Sequence, residues 1–197
     1  MARKKSFDRD AALAEAMRVF WQHGYEATST DMLTAAMGIG RQSLYDTFGD
    51  KRALYLEALG LYSAQRVSEL IARTRGEASP LEALRAVLSY PAALPADRRE
   101  LGCMGVNAIG EFGKSDGEVL QAMAGSGSVL GLVLEDLVRQ GVAAGEIADS
   151  IEPESAVRFL LSVRSGLMMS ARGGAAPGHL LDVAEIALNA LRTKGRL

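Results

Sequence analysis

The feature that most constrains the fold of this chain is a pair of short helices predicted within residues 28–51. Thr30 is a good N-cap for a helix over 31–37, and Gly38 can adopt the left-handed conformation that ends a helix. A second helix is predicted over 41–48, and the glycine that follows ends it. Helices this short depend on tertiary packing, so the rest of the chain must supply a core that supports them.

The two faces of this helix pair differ in chemistry. The residues predicted to face the core are apolar: Met32, Leu33, Ala36, Ile39, Leu44 and Phe48. The exposed face of the second helix carries hydrogen-bonding side chains: Arg41, Gln42, Ser43, Tyr45, Asp46 and Thr47. A helix face made of donors and acceptors suits the edges of base pairs and phosphates. The pair is therefore predicted to contact DNA, and the alternative is a structural hairpin whose polar face is incidental.

The overall charge limits how such a contact can form. The 197 residues carry 22 basic and 24 acidic side chains, a formal net charge of -2, so no global positive field attracts nucleic acid. Local cations remain: a basic arm at Arg3, Lys4 and Lys5, and Arg41 and Lys51 on either side of the second helix. We expect DNA binding to depend on these groups and on backbone amides.

Other classes of function find little support in the sequence. One cysteine excludes an intramolecular disulfide, and no apolar run approaches about 20 residues, so no membrane span is expected. The N-terminus lacks the apolar segment of a signal peptide, which makes the cytoplasm the expected location. His23 and His179 have no partner at ligand spacing, and no nucleophile motif occurs. We expect no metal, no cofactor and no enzymatic activity.

The remaining patterns are helical. An amphipathic helix is predicted over 8–24, and a long helix follows the N-cap Asp50 and continues to about Thr74, spanning roughly 35 Å. Further helices are predicted over 81–89, 103–112, 117–144, 153–172 and 178–193. The predicted fold class is all-α. Residues 1–51 form a three-helix, helix-turn-helix DNA-binding domain, and the long helix joins it to a helical domain of residues 52–197.

The last two predicted helices carry broad apolar faces. These faces comprise Val157, Leu160, Leu161, Val163, Leu167 and Met168 on one helix and Leu180, Leu181, Val183, Ile186, Leu188 and Leu191 on the other. They are too wide for surface helices of a small monomer, so the pair is predicted to form half of a four-helix bundle completed by a second copy of the chain. The alternative is that both are core helices of a monomer.

The helix before them contains Gly125, Gly127 and Gly131. Each interior glycine costs about 1 kcal/mol relative to alanine. Close helix packing is the favoured compensation, and a kink beside a cavity is the alternative.

The N-terminal residues resemble the TetR family of transcriptional regulators. The resemblance is carried by Phe20, Gly24 and Tyr25, by Thr28-Ser-Thr, and by the run Gly38-Ile-Gly-Arg-Gln-Ser-Leu-Tyr-Asp-Thr-Phe-Gly-Asp-Lys-Arg-Ala-Leu. It covers about the first sixty residues, and downstream only the number and order of helices are similar. It implies a homodimer that binds a palindromic operator in double-stranded DNA. It also implies that a small-molecule inducer binds among the C-terminal helices. Because most members of the family are repressors, it implies that this regulator is a repressor.

Seven positions take a DNA-binding role from this resemblance: Thr30, Arg41, Gln42, Ser43, Tyr45, Thr47 and Lys51. Thr30 would cap the first short helix and contact phosphate, and Lys51 would hold a phosphate at the start of the long helix. Arg41, Gln42 and Ser43 would face bases or phosphate, while Tyr45 and Thr47 would touch the backbone or a thymine methyl. Gly40 replaces a capping serine common in the family, and Gln42 replaces a glycine. An amide at Gln42 can pair with adenine.

The C-terminal part offers fewer candidate functional residues than the DNA-binding part. Cys103 begins a predicted helix, and a buried, inert thiol is the favoured interpretation. The alternative is that the helix dipole favours a thiolate and makes it a sensor for oxidants or electrophiles. For Met104, Met123 and Met168, filling of the core is the favoured interpretation, and lining of an adaptable apolar pocket is the alternative. The acidic residues are expected to form a solvated surface: Glu111, Asp116 and Glu118. A rival function is an all-helical binding protein or enzyme that keeps the helix-turn-helix only as scaffold.

Overall fold

The computed structural model describes residues 7–193, and within them the backbone forms ten helices. In chain order these are α1 (Arg9–His23), α2 (Thr30–Met37), α3 (Arg41–Phe48), α4 (Lys51–Thr74), α5 (Pro80–Leu88), α6 (Ala96–Glu100), α7 (Met104–Phe112), α8 (Gly117–Ala143), α9 (Pro153–Arg172) and α10 (Pro177–Leu191). The one pairing of extended backbone in the described chain is an isolated antiparallel bridge between Ile147 and Arg192. The predicted all-α class is confirmed.

Nine of these helices begin and end within two residues of their predicted limits. Residues in the sequence that favour helix ends, such as Asp50 and Gly38, explain this agreement. The carboxylate of Asp50 accepts a hydrogen bond from the amide of Ala53 at 2.7 Å and starts α4 as predicted. Gly38 adopts φ +65° and ends α2. The unpredicted helix is α6, whose five residues are too few to show an apolar period.

Two predicted details are wrong. Ser29, not Thr30, is the N-cap of α2: its hydroxyl accepts a hydrogen bond from the amide of Met32 at 3.1 Å, and Thr30 is the first helical residue. α10 ends two residues before its predicted limit because the chain turns there into extended pairing, in which the amide of Ala148 donates to the carbonyl of Leu191 at 3.0 Å. A side-chain period does not report such a backbone pairing.

The first three helices share a small core. Of the residues predicted to face it, Leu33, Leu44 and Phe48 are buried, Met32 and Ile39 are partly buried, and Ala36 is exposed. Met37 is buried in place of Ala36, because it follows Leu33 by four residues and so lies closer to the same helix face. This core fixes the orientation of α3.

The long helix α4 joins this unit to the rest of the protein. It packs against α1 on one side and against α5 and α8 on others. The ring of Tyr55 lies 5.0 Å from the ring of Phe20 in α1 and 5.6 Å from that of Phe112 in α7, measured between centroids. One apolar core runs through both parts, and α4 packs against both α1 and α7.

Three of the glycines in α8 do not pack as predicted, and a fourth, Gly141, does. A Cβ added to Gly125, Gly127 or Gly131 would meet no neighbouring atom within 4 Å, so close packing within the described chain does not explain them. Gly141 does pack closely, since a Cβ there would lie 2.7 Å from Cδ1 of Ile147.

α8 is also the one helix in the described residues long and apolar enough, by composition, to cross a membrane. The sequence prediction missed this property. α8 packs along α4, α5 and α9 as one helix of the C-terminal bundle.

Candidate nucleic-acid interface

The recognition face lies on α3. Leu44 and Phe48 anchor this helix in the core, and the opposite side exposes Arg41, Gln42 and Tyr45. Gly40 is the N-cap of α3 with extended backbone and no side-chain cap, so no side chain accepts the first helical amides. A helix N-terminus with unpaired amides is a favourable site for a phosphate.

Arg41 is held by a neighbour from α2. Its Nη2 lies 2.6 Å from Oδ1 of Asp31, and its Nε donates to the same oxygen at 3.1 Å. The hydrogen bond with Asp31 raises the pKa of Arg41 above its usual value. Both side chains are exposed, so solvent screens this pair and the guanidinium can exchange Asp31 for a phosphate oxygen.

Gln42 also has a partner within the recognition helix. Its amide nitrogen donates to Oδ1 of Asp46 at 2.8 Å. This contact joins positions four residues apart and orients the amide along the helix surface. To contact a base edge, the amide must rotate away from Asp46.

Lys51 lies at the first turn of α4, with its ammonium 4.3 Å from the ring centroid of Tyr25. This cation–π contact restrains a long side chain at a helix N-terminus, next to the recognition helix. The aromatic partner is one of the residues on which the family resemblance rests.

The other predicted contact residues vary in accessibility. Tyr45 is 44% exposed, whereas Thr30 and Ser43 are partly buried. The hydroxyl of Thr47 is buried and has no hydrogen-bond partner in residues 7–193. The predicted basic arm at Arg3, Lys4 and Lys5 lies outside the described residues.

Of the acidic residues predicted to form a solvated surface, Glu111 and Glu118 are exposed and Asp116 is partly buried, and all three also connect α7 and α8 to the N-terminal unit. The carboxylate of Glu111, in the last turn of α7, accepts hydrogen bonds from the amides of Tyr25 at 3.1 Å and Glu26 at 2.8 Å. Sequence reasoning missed this role because the partners are backbone amides 85 and 86 residues away.

A second connection involves the first turn of α4. Arg52 donates to Asp116 at 2.5 Å and to Glu118 at 3.2 Å, and the Arg52 guanidinium holds the pKa of Asp116 below its usual value. Asp116 is also the N-cap of α8. The N-terminal ends of α4 and α8 are therefore tied together by charge.

A cavity of about 220 Å³ lies between α4, α7, α8 and α9. Of the predicted pocket residues, Met123 lines it, whereas Met104 and Met168 are buried in the core and do not. Cys103, only 7% exposed, is the N-cap of α7 and also lines the cavity. Burial raises the pKa of Tyr62 well above its usual value, and the Cys103 thiol beside it adds to that effect.

Two protein-family models match these two parts of the chain. The model for bacterial regulatory proteins of the tetR family matches residues 12–58, and the model for the tetracyclin repressor-like C-terminal domain matches residues 80–185, more than half of the chain. The chain belongs to the TetR family. It is a helix-turn-helix, DNA-binding transcriptional regulator, as the sequence predicted.

Similar proteins agree with this assignment. The HTH-type transcriptional repressor ComR of Escherichia coli is 31% identical over 92% of this chain and 88% of its own length. The HTH-type transcriptional regulator YezE of Bacillus subtilis is 32% identical over 97% of this chain and 100% of its own. Among solved structures, a cysteine-substituted CifR in complex with 26-bp double-strand operator DNA is 32% identical with a TM-score of 0.80, over 96% of this chain and 100% of that chain.

Proposed function

We propose that this protein is a cytoplasmic, homodimeric repressor that binds a palindromic operator and releases it when a small-molecule inducer binds. The observation that carries the proposal is the polar face of α3, supported by the core of α1, α2 and α4. The similarity of the whole chain to CifR, solved in complex with operator DNA, also supports the proposal. The proposed DNA-binding unit is residues 1–51, and the ligand-binding and dimerisation unit is residues 52–197.

The DNA contacts in this proposal are divided between phosphates and bases. Arg41 and Lys51 would bind phosphates, and Thr30, at the start of α2, would also contact a phosphate. Gln42 would read a base edge, with Ser43, Tyr45 and Thr47 on the adjoining surface. The exposed positions of Arg41, Gln42 and Tyr45 support these assignments, and the partly buried residues would contribute through smaller contacts.

The dimer in this proposal forms through α9 and α10. Each helix buries part of its apolar face within the protomer and leaves another part exposed: Phe159 and Met169 on α9, and Leu181, Val183 and Ile186 on α10. A second copy related by a two-fold axis would cover both exposed faces in a four-helix bundle. The two recognition helices would then be able to meet half-sites about 34 to 36 Å apart.

The inducer in this proposal acts through α7. Val106 and Ile109 of α7 line the cavity, while Glu111 in the last turn of the same helix accepts hydrogen bonds from the amides of Tyr25 and Glu26. A ligand that displaces α7 would therefore also displace the N-terminal unit. A coupling of only 1 to 3 kcal/mol would weaken operator binding about 5- to 150-fold.

Two substitutions test the DNA contacts. Gln42→Ala is expected to relax base preference at one operator position by about 1 kcal/mol, since the amide must leave Asp46 to bind. Lys51→Ala is expected to weaken binding to all sequences and reduce the salt slope by about 1. Fluorescence anisotropy over a salt series, with a palindrome from the DNA upstream of the gene and its point variants, measures both.

Arg139→Ala provides the control, because Arg139 is an exposed cation on α8 far along the chain from the recognition helix. It should leave affinity and salt slope unchanged. If neither Gln42→Ala nor Lys51→Ala differs from it, the proposed contacts are wrong. A protein that keeps the helix-turn-helix only as scaffold would show no salt-dependent binding to any palindrome.

Cys103 is proposed as a sensor of oxidants or electrophiles. Its position on the cavity wall at the start of α7 supports this role, because modification there would push on the helix that holds Glu111. Operator complexes of the wild type should dissociate on treatment with hydrogen peroxide or N-ethylmaleimide, and complexes of Cys103→Ser should not. Equal dissociation of the two proteins would favour the buried, inert thiol.

A further inference from the structure

The cavity between α4, α7, α8 and α9 combines an apolar wall with two arginines. Its apolar lining comprises Val67, Val106, Ile109, Met123, Leu130 and Leu161. Its volume of about 220 Å³ is below the 300 to 1,000 Å³ typical of ligand pockets, so it suits a small molecule. Of the side chains that line it, only Arg66 and Arg164 are charged, and no carboxylate lines it.

The two arginines differ in how they are neutralised. Arg66 donates to Glu69 at 2.6 Å and to the hydroxyl of Tyr90 at 2.7 Å, so its charge is already compensated. Arg164 is partly buried and forms no ion pair and no hydrogen bond in the part of the chain that the structure describes. The Nε atoms of both arginines are buried without a partner there, so the difference lies in the terminal nitrogens, which are paired in Arg66 and not in Arg164. One wall of the cavity thus holds a partly buried cation with no anionic partner among residues 7–193.

A partly buried guanidinium without an anionic partner in the described chain favours binding of an anion. Arginine cannot lose its proton at physiological pH, so burial cannot neutralise it. Its planar donors match the two oxygens of a carboxylate, and such charge-assisted pairs are among the strongest hydrogen bonds in proteins. The apolar lining would at the same time receive a hydrocarbon or aromatic body.

We infer that this cavity binds a small organic carboxylate, whose carboxyl group pairs with Arg164 and whose apolar body lies against α7 and α8. That this molecule acts as an inducer rests on the proposed regulatory function. Binding itself does not, because the cavity is formed within one protomer and its contacts involve no DNA.

The experiment measures ligand binding to the full-length protein without DNA. Isothermal titration compares benzoate, salicylate and hexanoate with their neutral amides, benzamide, salicylamide and hexanamide. The carboxylates should bind and raise the midpoint of thermal unfolding, while the amides should bind at least tenfold more weakly, as loss of a charged hydrogen bond implies about 10- to 100-fold. Amides that bind as tightly as the carboxylates, or no binding by any carboxylate, would overturn the inference.

Variants at Arg164 locate the site. Arg164→Met keeps the apolar stem and should weaken carboxylate binding about 10- to 100-fold, whereas Arg164→Lys keeps the charge and should retain part of the affinity. Arg139→Met, at an exposed arginine of α8, should bind as the wild type does. Wild-type affinity in a folded Arg164→Met would contradict the assignment. The carboxylate and amide comparison in the wild type decides the ligand class even if Arg164→Met does not fold.

These results separate the inference from the proposed function. Carboxylate binding without any operator binding would contradict the repressor and leave the anion site intact. Operator binding by a protein that binds no carboxylate would contradict the anion site alone.

Discussion

Ile186→Glu is expected to convert the protein from a dimer to a monomer and to weaken binding to a palindromic operator about 10²- to 10⁴-fold. Ile186 is 70% exposed on α10, in the middle of the apolar face proposed to meet the second protomer. A carboxylate there would be buried without a partner in the dimer, at a cost that the remaining contacts cannot offset. The monomer would retain one recognition helix and lose the gain that comes from binding two half-sites at once.

Sedimentation velocity measures the oligomeric state, and anisotropy with palindromic and single half-site DNA measures the affinity. Binding to a single half-site should be nearly unchanged, because α3 is far from the substitution in the chain. Leu120→Glu is a matched control: Leu120 is an exposed leucine on α8, outside the proposed interface. A dimeric Ile186→Glu with wild-type operator affinity would place the interface elsewhere.

Glu111→Ala is expected to disconnect the cavity from the recognition helices. In the wild type, an effector that couples with 1 to 3 kcal/mol changes operator affinity about 5- to 150-fold. Without the Glu111 carboxylate, the amides of Tyr25 and Glu26 lose their acceptors on α7, so displacement of α7 is no longer transmitted by these two bonds. Benzoate should still bind Glu111→Ala with wild-type affinity, but it should no longer release the operator.

Hydrogen exchange provides a readout that needs no inducer. The amides of Tyr25 and Glu26 should exchange faster in Glu111→Ala than in the wild type, because within residues 7–193 the Glu111 carboxylate is their hydrogen-bond acceptor. Glu100→Ala, at an exposed position in α6, should behave as the wild type does. Unchanged exchange, or full release of the operator by benzoate in Glu111→Ala, would show that coupling follows another route, such as the aromatic contacts of Tyr55.

The sequence predicted the local structure well because helix boundaries are set by local chemistry. Asp50, Gly38 and Pro153 mark helix ends through their own side chains or backbone freedom, and each acts as predicted. The error at the start of α2 has the same local character, since Ser29 and Thr30 are both good caps and the choice between them depends on backbone geometry. The recognition series between Gly38 and Leu54 also identified the family before any tertiary contact was known.

Tertiary structure alone decided which residues connect the two parts of the chain. Glu111 and Asp116 read as surface residues because their partners, the amides after α1 and the guanidinium of Arg52, lie 64 to 86 residues away in the sequence. That Arg164 has no anionic partner among residues 7–193 is likewise invisible in a helical pattern, since it depends on which side chains three other helices bring to the cavity. A sequence determines helix ends and faces through neighbours one turn away, whereas long-range pairing and desolvation arise only when the helices pack.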